Sequence, residues 1–154
     1  MTKKLFEILR ERKIKICAAE SITGGKFSSE IVKYEGASKI LDFSIISYST
    51  QSKKVFFLKK PIIDKFGVVS KEVAIKMSTE IIKYSKFTNI IGISCTGLAS
   101  RNLEYSNKDQ GIVYIATTYK SKTNVVEKNF KMNDRSKIID LSVKEMFNQI
   151  KLII

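Results

Sequence analysis

The 154-residue chain has no histidine, two cysteines and one proline. Without imidazole, Ser-His-Asp and Cys-His arrangements are excluded, and proton transfer near neutral pH falls to lysine, tyrosine or a carboxylate. Cys17 and Cys95 each stand alone inside an apolar segment, with no Cys-x-x-Cys anywhere. Two buried thiols in a reducing compartment are therefore expected, and a transition-metal site is not. No apolar run approaches the ~20 residues of a membrane span. The start, Met1-Thr2-Lys3-Lys4-Leu5-Phe6-Glu7, mixes charged and apolar residues unlike a signal peptide. Acidic residues are scarce too, 15 against 28 Lys+Arg, for a formal charge of +13. That surplus favours an anionic partner, nucleic acid or a phosphorylated small molecule. The basic residues are scattered and mostly lysine, with no Arg-rich or aromatic-interleaved run, so lysine on solvated faces is preferred to a nucleic-acid surface.

What is present is a regular alternation of apolar patterns. Leu5, Ile8 and Leu9 predict an amphipathic first helix over residues 3–12, and Ile14 to Ala19 a buried strand. Gly24-Gly25 opens a helix over residues 26–34, with Phe27, Ile31 and Tyr34 on one face. Leu41 to Ser49 reads as a second strand, followed by a short helix from Thr50 to Leu58 that stops near Pro61. Ser70 is a fitting N-cap for a long helix with the stripe Val73, Ala74, Met77, Ile81 and Tyr84. Asn89 to Cys95 is Ile-rich and expected to be central. Residues 96–110 form a polar loop long enough to be functional or mobile. Gly111–Tyr119 and Asn124–Met132 read as a strand pair, and Asp134 caps a last helix with Ile138, Leu141, Met146 and Ile150 inward. This order predicts one α/β domain over residues 1–154, a three-layer α/β/α sandwich whose mixed, mostly parallel sheet has about five strands.

Three polar points gather at strand ends. Ser21 follows the first strand at a helix N-terminus, where the N–H groups of Thr23, Gly24 and Gly25 could hold an oxyanion or a phosphate, or where Ser21 is simply a helix cap. Tyr48 and Lys53 lie five apart across a strand end and a helix start, a pattern that a surface lysine and a half-buried tyrosine also satisfy. Thr96-Gly97 ends the central strand, and ligands gather at the carboxyl ends of such strands. Gly24-Gly25-Lys26 is no P-loop, because G-x-x-x-x-G-K-[ST] would need glycine at Glu20 and Ser or Thr at Phe27. No G-x-G-x-x-G, Tyr-x-x-x-Lys or Ser-x-x-Lys pattern occurs. Spacing alone points to a site without naming a reaction.

Read together, the segments resemble the C-terminal domain of CinA (competence/damage-inducible) proteins, nicotinamide mononucleotide deamidases. The family's A-E-S-C-T-G-G is similar to Ala19-Glu20-Ser21-Ile22-Thr23-Gly24-Gly25, and its Y-S-N-E-A-K to Tyr48-Ser49-Thr50-Gln51-Ser52-Lys53. Its G-A/S-S, G-A-V-S and T-G-I-A are similar to Gly36-Ala37-Ser38, Gly67-Val68-Val69-Ser70 and Thr96-Gly97-Leu98-Ala99. Its G-x-V-Y/W-x-A and F-x-G-D-R resemble the stretches from Gly111 to Ala116 and from Met132 to Arg135, with Asn133 in place of the glycine. The family's G-P-G-G after T-G-I-A is replaced by Ser100-Arg101-Asn102-Leu103, and its K-P-V-G by Lys108-Asp109-Gln110-Gly111.

The resemblance implies a stand-alone deamidase in which Ser21 is the nucleophile and Lys53 the base, while Tyr48 relays the proton. Glu20, Thr23, Gly24, Gly25, Thr96, Gly97 and Arg135 are then expected at the substrate. It implies no metal or organic cofactor, a phosphorylated nucleotide as partner, no membrane, and a cytoplasmic homodimer; nucleic acid is not expected. The rebuilt 100–110 loop leaves a second reading, a nucleotide-binding module of the same fold that no longer hydrolyses.

Overall fold

The structure is a computed structural model that describes residues 1–100 and 110–154. Strands β1 (Lys15–Glu20), β2 (Leu41–Ile46), β3 (Ile90–Gly97), β4 (Ile112–Tyr119) and β5 (Lys122–Asn129) form one sheet in the order β2-β1-β3-β4-β5. β1 pairs parallel with β2 and β3, whereas β4 pairs antiparallel with β3 and β5, so β4 alone runs against the other four. This is the mixed α/β sheet the sequence predicts. Side chains alternate across it, as strand geometry demands. Ile16, Ile91, Ile93, Val113 and Ile115 face α1 (Lys3–Glu11), α2 (Lys26–Val32) and α6 (Arg135–Ile153), meeting Leu5, Leu9, Phe27, Ile31, Met146 and Ile150. Cys17, Ala19 and Ile90 face the opposite layer, where α5 (Lys71–Ile82) contributes Val73, Met77 and Ile81. Each fully buried Ile or Leu stabilises the fold by about 1.5–3 kcal/mol. Exposed ion pairs such as Lys83–Glu80 are worth under about 1 kcal/mol. The apolar layers therefore hold the sheet.

Gly92 sets how close α5 lies. A Cβ built there would stand 2.2 Å from the backbone oxygen of Ser78, so only glycine lets α5 sit this near to β3.

Several expectations are corrected. Pro61 does not end structure: it stands in the first turn of a further helix, α4 (Lys60–Phe66), where its missing N–H is no loss. β2 stops at Ile46, and Ser49 then caps α3 (Thr50–Phe56) in a reciprocal arrangement with Ser52. β3 continues through Thr96 and Gly97. β5 begins at Lys122, because Tyr119 pairs with Lys122 across a two-residue turn in which Lys120 has φ +55°. Tyr84 lies beyond α5 and is exposed, and Leu141 is only partly buried. The middle of the predicted 96–110 loop, including the substituted residues 101–103 and 108–109, falls outside the described residues. No helix among the described residues is long and apolar enough to cross a membrane.

Candidate active site

The chain leaves β1, returns alongside it as β2, then crosses to β1's other side as β3, so the connections diverge between β1 and β3. In open α/β sheets a crevice forms at the carboxyl ends of such strands. Ser21 sits directly after β1, fixed by its N–H donating to the Cys95 carbonyl of β3 at 3.1 Å. A cleft of about 380 Å³ opens here, of a size that holds small molecules. Its walls include Ser21, Ile22, Tyr48, Lys53, Thr96 and Arg135.

Lys53 is the unusual group. It lies on α3 and is only 2% exposed, yet no carboxylate pairs with it among the described residues. Its Nζ lies 2.8 Å from Ser21 Oγ, 2.7 Å from the Ser47 carbonyl and 3.3 Å from the Tyr48 carbonyl. Three acceptors match the three protons of an ammonium. They match the neutral amine as well: two N–H bonds to the carbonyls leave the lone pair to accept the Ser21 hydroxyl proton. Burial pulls the pKa of Lys53 down from 10.5 to about 8, because the charged form loses water and gains no counter-charge.

Around this pair, Thr96 is buried and donates through its hydroxyl to the Val68 carbonyl at 2.8 Å, which fixes one wall of the cleft. Gly97 lines the same wall. Tyr48 is exposed and its phenol does not meet Ser21 or Lys53. It accepts from Arg135 at 2.6 Å, and the same guanidinium donates to Ser100 Oγ at 3.0 Å. Arg135 begins α6 and spans the rim with two neutral partners, holding a full positive charge over the cleft. Tyr48 is thus a rim residue here, not a link between Ser21 and Lys53.

Residues 1–154 match the model of the CinA C-terminal domain. The chain belongs to that family. It is 36% identical over 148 residues to a CinA-like protein of Flavobacterium psychrophilum, covering 95% of this chain and 34% of the relative. A CinA-like protein of Kosmotoga olearia is 41% identical over 135 residues, 87% of this chain and 32% of that protein. The chain therefore spans about a third of the length of these CinA relatives. The fold is also that of a competence-damaged protein (CinA) superfamily crystal structure from Escherichia coli. The TM-score is 0.91 at 22% identity, over 98% of this chain and 87% of that one.

Within this CinA domain the glycine turn is arranged differently from the expectation. The N–H of Gly24 donates to the Ser21 carbonyl and that of Gly25 to the Glu20 carboxylate, at 3.1 and 3.0 Å, so neither is available to a ligand. Glu20 is fully buried behind Ser21, and neither it nor Thr23 is among the cleft residues. Thr23 is buried with its hydroxyl unpartnered. The N–H of Ile22 has no acceptor among the described residues, and Ile22 lines the cleft. Sequence reasoning passed over it, although the residue after a nucleophile commonly supplies an oxyanion donor. The Ser47 and Tyr48 carbonyls that cradle Lys53 carry no side-chain signal at all. No group of acidic, cysteine or histidine side chains suited to a metal occurs among the described residues.

Proposed function

We propose that this chain is an amidohydrolase converting nicotinamide mononucleotide and water to nicotinic acid mononucleotide and ammonia. The observation that carries the reading is the buried, carboxylate-free contact of Lys53 Nζ with Ser21 Oγ at 2.8 Å. A serine is a weak nucleophile until a base takes its proton, and a lysine serves as that base only when its neutral form is accessible near pH 7. The lowered pKa of Lys53 meets that condition.

In this reading neutral Lys53 accepts the hydroxyl proton as Ser21 Oγ attacks the carboxamide carbon. The oxyanion develops against the Ile22 N–H, while Thr96, its hydroxyl committed to the Val68 carbonyl, shapes the cleft wall. Protonated Lys53 gives its proton to the departing nitrogen, and ammonia leaves an acyl-Ser21. Lys53, neutral again, takes a proton from the water that attacks the ester carbon. As the bond to Ser21 Oγ breaks, Lys53 returns that proton to Oγ, leaving the carboxylic acid product, the free Ser21 hydroxyl and a neutral Lys53. Arg135, steadied by Tyr48 and Ser100, receives the substrate phosphate in a charge-assisted bond. The alternative, a binding module without turnover, is motivated by the 100–110 loop, most of which lies outside the described residues; the Ser21–Lys53 contact favours turnover.

The test is ammonia release from the nucleotide. Wild-type protein releases it, and Ser21→Ala and Lys53→Ala each abolish release; turnover that survives in Ser21→Ala ends this reading.

A further inference from the structure

Glu20 immediately precedes Ser21, and its side chain is 0% exposed without a cationic partner among the described residues. Four neutral donors cover it instead. Oε2 accepts from the N–H groups of Gly25 and Phe27 at 3.0 and 3.1 Å; Oε1 accepts from the Ser28 N–H and the Ser44 hydroxyl, both at 3.0 Å. The backbone carbonyl of Glu20 accepts from the Ser47 N–H at 2.8 Å. One residue therefore ties the end of β1 to the start of α2, to β2 at Ser44, and to the segment whose carbonyls hold Lys53.

Capping α2 is part of this arrangement and does not by itself require a residue that spans to β2. α1, α3, α5 and α6 are capped by Thr2, Ser49, Ser70 and Asp134, the usual short polar side chains. α2 has only seven residues, Gly25 at its N-cap and no side-chain cap of that kind. The Glu20 carboxylate satisfies the α2 amides as a shorter cap would, and it also reaches the Ser44 hydroxyl on β2, which a local cap does not. Gly24 and Gly25 adopt φ +57° and +95°, which folds the turn back so that the α2 amides reach the carboxylate.

We propose that Glu20 is a positioning residue that fixes the separation of Ser21 Oγ from Lys53 Nζ, and is not a ligand of the substrate. The proposal rests on Ser21 being the nucleophile, so it is read out without the nucleotide. A fluorophosphonate reacts with an activated serine: the Oγ–P bond forms, fluoride leaves, and Lys53 takes the hydroxyl proton. Labelling rates of the full chain are followed by intact mass across pH, alongside thermal melting, with Ser21→Ala as the unlabelled control. Glu20→Gln keeps the shape but presents an NH₂ where an acceptor is needed. Its labelling rate falls by about 10²-fold, the scale of a 1 Å misplacement, and its pH profile shifts because the cradle of Lys53 moves. Ser44→Ala removes one of the four donors and slows labelling by a smaller factor. Lower melting temperatures with wild-type labelling rates and pH profile would make Glu20 purely structural and overturn the proposal. If Glu20→Gln does not fold, Ser44→Ala decides, and a wild-type rate there overturns it equally. A folded wild-type protein that is not labelled rejects Ser21 as nucleophile and this proposal with it; equal labelling of wild type and variants rejects this proposal alone.

Discussion

The phenol oxygen of Tyr48 lies 2.6 Å from a guanidinium nitrogen of Arg135, although the two residues are 87 positions apart. The bond turns Tyr48 toward the rim, away from the amine that its own carbonyl helps to hold.

Tyr48→Phe therefore separates two roles. Loss of one hydrogen bond to a charged group is worth about 1.5–3 kcal/mol at most, so KM for the nucleotide rises by roughly tenfold while kcat stays within about threefold. A proton relay through the phenol would instead cost about 10²–10⁴ in kcat. Steady-state kinetics of ammonia release distinguishes them.

Arg135→Ala extends the argument to the substrate. Its kcat/KM for the phosphorylated nucleotide falls by about 10- to 100-fold, the range for a lost charge-assisted bond. The corresponding riboside, which lacks the phosphate, loses little. Equal losses with both substrates would show that Arg135 holds the cleft's shape and does not meet the phosphate.

Gly92→Ala tests the packing beneath the site. With 2.2 Å between the new Cβ and the Ser78 oxygen, α5 must move off β3. Overpacking of this kind costs about 3 kcal/mol, which lowers the melting temperature by roughly 10 °C in a chain of this size. Circular dichroism melting checks it, and an unchanged midpoint would mean that α5 lies farther from the sheet.

Lys53 also makes stability depend on pH in a set direction. The folded protein binds this proton less tightly than the unfolded chain does, so folding is opposed wherever both forms are protonated, below about pH 8. The drop from 10.5 to about 8 corresponds to about 3 kcal/mol. As pH rises through about 8 toward 10.5 the unfolded chain still holds the proton and the folded one has lost it, so the penalty fades. Relative to Lys53→Met, wild-type protein gains about 3 kcal/mol between about pH 7 and 10.5. Urea titrations of both proteins at the two pH values measure it, and the titration of other groups cancels in the difference. A flat difference would place Lys53 in water.

Much of this was legible in the chain because burial leaves a continuous record. β1 and β3 are almost continuously buried and mostly apolar, and Ser21 and Thr96 stand at their carboxyl ends. The partnership of Ser21 with Lys53 was not legible from spacing: 32 residues separate them, and the family resemblance brought them together before the fold did. α4 is not legible in the chain because Pro61 signals a helix start as readily as a stop. The Gly24 and Gly25 amides stand at a helix N-terminus, a placement that suits a ligand or a plain cap alike, and a carboxylate from the preceding strand reaches the Gly25 N–H first. Backbone groups such as the Ser47 carbonyl have no sequence signature, so the cradle of Lys53 emerged only from the fold.

The most direct test is the pH dependence of kcat/KM for ammonia release from nicotinamide mononucleotide, in wild-type protein and in Lys53→Met. A neutral Lys53 acting as base predicts a rate that climbs about tenfold per pH unit below about pH 8, levels off above it, and is absent at every pH in the variant. A wild-type rate that is flat from about pH 6 to 9, or a variant that keeps turning over, would contradict the account.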